Sequence, residues 1–101
     1  MDKIREIILN FRDERSWKPY HNEKDLAISI SLEANELLEN FQWKSSEEAV
    51  QDSKQNIKEE MADILIYLVQ LADKLDIDLE EEVLEKMKKN ALKYPVQKGG
   101  G

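Results

Sequence analysis

Residues 56–75 read NIKEEMADILIYLVQLADKL. The stretch opens on polar residues and then, from Met61 to Ala72, is apolar on almost every side, interrupted by Asp63 and Gln70. A helix that is apolar around its whole axis belongs inside a helical assembly. At 3.6 residues per turn, positions three apart share a face, so Glu60 and Asp63 project together, with Tyr67 one turn further on. Two carboxylates entering an apolar run are costly unless they meet counter-charge or coordinate a metal. The helix therefore requires a partner that satisfies them.

That partner lies upstream. Residues 25–41, DLAISISLEANELLENF, form a second helical pattern with Leu26, Ile30, Leu37 and Leu38 as its apolar stripe. It also carries two acids three apart, Glu33 and Glu36, on one face. Packed side by side, the two helices gather four carboxylates, a hard oxygen set suited to Mg²⁺ or Mn²⁺. Other acids, Glu47, Glu48 and the run at 80–82, read as solvated charge. Asp63 does not, because Ala62, Ile64 and Leu65 are its neighbours. A di-iron carboxylate bundle is the rival metal reading, but it needs two Glu-x-x-His motifs, and the single histidine, His21, falls in a loop.

Bulk properties narrow the choice. With 101 residues the chain has room for one domain, and a chain of this size alone buries only about two-thirds of its unfolded surface. A nearly all-apolar helix is more than one such chain covers, so self-association is expected. The net charge of −7 argues against a nucleic-acid backbone as partner. It leaves a nucleotide open, because a bound metal reverses the local field. There are no cysteines, which excludes disulfides and thiolate metal centres. The longest apolar run is shorter than the roughly 20 residues that span a bilayer, and the N-terminal MDKIREII has no signal-peptide core. No membrane association and a cytoplasmic address are the expectation.

In chain order, Ile4, Ile7, Ile8 and Phe11 repeat with helical spacing and predict a helix over 2–15. Residues 16–22, SWKPYHN, break it; Pro19 disfavours helix at Lys18, and Asn22 is an N-cap candidate for the second helix. Ser45 followed by Glu48 is a capping-box pattern, predicting a short helix at 46–52, with Ser53 able to cap the long third helix. Asp78 followed by Glu81 opens a fourth helix to about Lys93, with Leu79, Val83, Met87 and Asn90 or Ala91 facing inward. Tyr94-Pro95 ends it, leaving a single domain at 1–96 and a flexible tail at 97–101. Both tryptophans, Trp17 and Trp43, lie in loops or at a helix end, where an aromatic face can stack on a base. Tyr20 reads as ordinary packing.

These residues resemble a known family. EANE at 33–36 and EEMADILIYL at 59–68 are similar to the two halves of the Glu-x-x-Glu and Glu-x-x-Asp signature of the all-α MazG-like nucleoside triphosphate pyrophosphohydrolases. RDERSWKPYH at 12–21, LENFQWKS at 38–45, DILIYLVQLA at 63–72 and KMKKNALKYPV at 86–96 look like its dCTP-pyrophosphatase-type branch. The resemblance covers about residues 4–96. It implies an all-α, four-helix-bundle-like fold, oligomeric as homodimer or homotetramer, with sites built between subunits. It implies Mg²⁺-dependent cleavage of a (deoxy)nucleoside triphosphate, with dCTP or a modified dCTP as candidates, to the monophosphate and pyrophosphate, in a nucleotide house-cleaning role. Glu33, Glu36, Glu60 and Asp63 match the metal ligands. Trp17, Trp43, Tyr67, Asn90 and Tyr94 match positions associated with the nucleotide, and His21 matches a further motif position. Glu36 is the simplest candidate to orient the water or act as general base. Lys44, Lys54, Lys58, Lys86 and Lys93 are candidates for phosphate contact. Where animal members look to carry a base-proximal histidine, this chain has Ile8, which puts a strict cytosine preference in question. The competing class is a non-catalytic, self-associating helical module that binds metal or nucleotide, its acids merely structural.

Overall fold

A computed structural model describes residues 1–97; residues 98–101 of the expected tail lie outside the described residues. The chain folds as α1 (Asp2–Glu14), a 3-10 turn (Lys18–Tyr20), α2 (Glu23–Glu39), α3 (Ser46–Lys74) and α4 (Leu79–Lys93). There is no strand among the described residues, and no helix among them is long and apolar enough to cross a membrane.

Local chemistry sets three of the helix starts. The side chains of Asn22, Ser45 and Asp78 accept from the backbone N–H groups of Asp25, Glu48 and Glu81. Each satisfies a donor that the helix itself leaves unpaired, worth about 1 kcal/mol. Acids in the first turns of α2, α3 and α4 complement the positive end of the helix dipole. The expected break at Ser53 is present: its φ −128° and ψ 21° are non-helical, and the helical segments on either side of it meet across a kink. Ala49 is fully buried, so the short segment before the kink is packed against its neighbours.

The 29-residue α3, kinked at Ser53, is the element on which α1 and α2 pack. Helix α2 returns along it antiparallel through residues 40–45, and α1 crosses it more briefly. Leu26 of α2, Leu9 of α1 and Val69 and Ala72 of α3 form the core. Asn40 closes the α2 end: its Nδ2 donates to the Glu36 and Leu37 carbonyls, and its Oδ1 accepts from Asn56 Nδ2 at 2.8 Å.

Helix α4 departs from the expected arrangement. None of its residues is buried, and Val83 and Met87, expected to face inward, are exposed. The turn before it, with Asp76 at φ 56°, leads the chain away from α1–α3, so α4 has no extended interface with any of them. The result is an elongated chain. Its radius of gyration is 17.2 Å, against about 13 Å for a compact chain of 100 residues. Ile4, Ile7 and Phe11 on α1 and Val83, Leu84, Met87 and Leu92 on α4 stay exposed.

Candidate active site

The antiparallel α2–α3 pair brings acids of the two helices together. Glu33, Glu36 and Glu60 each place a carboxylate oxygen within 4.8 Å of the others. Glu60 is buried, Glu33 half-buried and Glu36 exposed. Glu33 Oε2 and Glu60 Oε2 are sealed from solvent without a hydrogen-bond partner among the described residues. The crowding acts on two of the three acids, Glu60 and Glu36. Contact with the Glu33 carboxyl, followed by burial, holds Glu60 above the usual carboxylate range. Glu36 is raised as well, chiefly by Glu60. Buried carboxylates with idle lone pairs are expensive, and a hard divalent cation is the partner that oxygen donors of this kind satisfy. The residues present fit such an ion.

Asp63 does not join this trio. One turn beyond Glu60, it lines a neighbouring cavity of about 350 Å³, though its charge still contributes to the upward shifts at Glu60 and Tyr67. Tyr67 lines the same cavity, and its hydroxyl is raised first by burial and then by the charges of Glu33, Asp63 and Glu36. The cavity therefore adjoins the acids. Its remaining walls come from Ile7, Ile8, Phe11 and Arg12 of α1, Trp17 and His21 of the following loop, and Ile66 and Gln70 of α3.

Several contacts shape that loop. Ser16 reverses the chain at φ 56°, and the Trp17 N–H bonds back to the Arg12 carbonyl at 3.1 Å. Trp17 then packs edge-on to Phe11, with ring centroids 5.8 Å apart. Lys74 Nζ donates to the Lys18 carbonyl at 2.6 Å, pinning the loop to the end of α3. Arg12, 3% exposed, donates to Asp13 and Asp73. Burial works against its charge, but the two carboxylates outweigh it and hold the guanidinium above its ordinary value.

Of the residues matched to nucleotide contacts, Trp17 and Tyr67 share this cavity, together with His21 of the further motif position, and Trp17 comes from the same chain as the acids. Trp43, Asn90 and Tyr94 do not reach it. Helix α2 ends at Glu39, and the following turn holds Trp43 at φ 62° and 100% exposed. Asn90 and Tyr94 ride on the detached α4. Lys44 pairs with Asp52 at 3.7 Å, and none of the five candidate lysines lines the cavity. Two cavity residues, Arg12 and Gln70, were not anticipated. The signals were present: Asp63, Tyr67 and Gln70 recur at i, i+4, i+7, and Arg12 follows Ile8 by four.

The model of the MazG-like family matches residues 28–101. Proteins called dCTP pyrophosphatase 1 are similar to the full chain, at 36% identity from Mus musculus and 38% from Bos taurus. The chain spans 62% and 63% of the length of these two relatives. A crystal structure of a pyrophosphatase from Archaeoglobus fulgidus is 47% identical, with a TM-score of 0.87 over 95% of this chain and 93% of that one.

Proposed function

The chain belongs to the MazG-like family, and from that premise we propose that it is a nucleoside triphosphate pyrophosphohydrolase that clears unwanted (deoxy)nucleotides, with dCTP or a modified dCTP as first candidates. The observation that carries this reading is the pair of sealed, unpartnered oxygens, Glu33 Oε2 and Glu60 Oε2, next to a cavity walled by Trp17 and Tyr67. The names of the relatives point the same way. Such triphosphates would be met in the cytoplasm.

Glu33, Glu36 and Glu60, with Asp63 beside them, would hold Mg²⁺, for which Mn²⁺ can substitute. When bound, the cation neutralises the triphosphate and lowers the pKa of a coordinated water. The protein's own part is positional. Tyr67 and Trp17 flank the nucleoside, and His21 offers it a polar contact. Glu36 is the exposed acid of the trio, the one bulk water reaches, and it orients that water and takes its proton as general base. The water oxygen bonds to the α-phosphorus, the bond from that phosphorus to the bridging oxygen breaks, and pyrophosphate leaves.

The assembly in this reading is a homodimer or homotetramer. Its support is the uncovered apolar surface of α1 and α4 and the full exposure of Trp43. A second copy would cover those faces and bring Trp43, Asn90 and Tyr94 toward the nucleotide. The test is pyrophosphate release from a panel of triphosphates with Mg²⁺ and with chelator. Release that stops on chelation is expected. A chain that binds nucleotide without releasing pyrophosphate would be a binding module instead.

A further inference from the structure

The cavity beside the acids contains a hydrogen-bonded pair that the metal chemistry does not require. Gln70 is 6% exposed, and its Oε1 lies 3.1 Å from His21 Nδ1. Each side chain has one further polar atom, the amide Nε2 of Gln70 and the imidazole Nε2 of His21. Neither has a hydrogen-bond partner among the described residues, and neither is sealed from solvent. Both residues line the cavity. Arg12, on the same wall, has Nε and Nη1 committed to Asp13 and Asp73.

A neutral imidazole carries one donor and one acceptor nitrogen, and an amide carries one group of each kind. With the proton on Nδ1, His21 donates to Gln70 Oε1, which leaves the amide NH₂ to donate and the imidazole Nε2 to accept. Turning the amide over and moving the imidazole proton to Nε2 reverses both outward groups. The amide nitrogen then donates to Nδ1, the amide oxygen accepts from the cavity, and Nε2–H donates into it. The contact between the two side chains is kept in both states, so neither leaves a buried group unpaired.

We infer that Gln70 and His21 read the hydrogen-bonding edge of the base and adapt to its polarity, so that cytosine, which presents an amino donor, and uracil or thymine, which present a carbonyl acceptor, are both accepted. This rests on triphosphate cleavage at the same site, as proposed above.

The test compares kcat/KM for dCTP and dUTP, which differ at the base edge in question. Wild-type protein is expected to prefer neither by more than about tenfold. Gln70→Glu puts only acceptors at this position, so the ratio should move toward dCTP by about tenfold or more, because the uracil carbonyl meets an unpaired acceptor. Gln70→Leu removes the amide and serves as the independent variant, raising KM for both nucleotides while the ratio stays put. Stabilisation by Mg²⁺ alone should be the same in all three proteins. A wild-type preference beyond about a hundredfold, a ratio unmoved by Gln70→Glu, or a loss confined to one nucleotide in Gln70→Leu overturns the inference and leaves cleavage standing. Failure of the wild-type protein to cleave any triphosphate with Mg²⁺ overturns the proposed function, and the base-reading role with it.

Discussion

The guanidinium of Arg12 donates from Nη1 to Asp73 Oδ2 across 2.9 Å, tying the last turn of α1 to the last turn of α3. Arg5 Nη2 reaches the other oxygen of the same carboxylate at 3.0 Å. Because Arg12 is also a cavity wall, this contact sets where the loop carrying Trp17 leaves α1.

Asp73 is half-buried and holds two guanidinium groups, those of Arg12 and Arg5, while buried Arg12 keeps Asp13 as a second partner. Asp73→Ala should therefore destabilise the protein by about 1–2 kcal/mol, less than the loss of a buried charge's sole partner would. Replacing both, as Arg12→Met with Asp73→Leu, should recover most of that loss, since a well-packed apolar pair avoids the desolvation of two charges. Urea unfolding at one protein concentration measures both. Equal losses in the single and double variants would show that the pair is not coupled.

The acid trio makes a prediction about pH. In the fold Glu60 is held above the usual carboxylate range, so the native chain binds more protons there than the unfolded chain. The stability this contributes is present at acid pH and is lost as pH rises through the folded-state pKa. In chelator, wild-type stability relative to Glu60→Gln should fall over that interval and then level off, leaving the variant at least as stable at neutral pH. Mg²⁺ should stabilise only the wild-type protein. Turnover in Glu60→Gln should drop by more than about 100-fold, beyond the usual effect of an outer partner. Thermal unfolding across a pH series checks the sign, and a variant clearly less stable than wild type at neutral pH in chelator would refute the repulsion.

Trp43 is fully exposed in one chain and held at a positive φ, an uncommon conformation for a bulky residue. Trp43→Ala should change unfolding of the chain by no more than about 0.5 kcal/mol, as for other surface positions. It should nevertheless raise KM for several triphosphates or weaken self-association. Kinetics alongside sedimentation decide the matter; wild-type behaviour in both would make Trp43 a plain surface residue.

Ser16 also adopts a left-handed conformation, at φ 56°, where a Cβ costs energy that glycine avoids. Ser16→Gly should raise stability by up to about 1 kcal/mol, less the extra entropy of glycine in the unfolded chain, with turnover retained. A loss of similar size would assign the serine side chain a contact of its own.

Much of this architecture was legible locally. Capping by Asn22 and Asp78 and the acid pairs on α2 and α3 depend on residues within one turn, where spacing and side-chain chemistry decide the outcome. The same periodicity placed Glu33, Glu36 and Glu60 on faces that can meet, and the antiparallel return of α2 along α3 follows from the short link between them.

Only the tertiary structure decided the rest. Arg12 and Asp73 are 61 residues apart and His21 and Gln70 are 49 apart, and no local period relates such positions. Periodicity gave α4 an inward face but could not say whether the same chain offers anything for it to meet; α3 takes α1 and α2, and α4 is left without a partner. The same global geometry put Asp63 and Trp17 in one cavity and sent Trp43 to the surface. The physical reason is one of range: helix starts and acid pairs are set by neighbours along the chain, whereas the cavity depends on how three helices settle against one another through many weak contacts and one part-buried ion pair.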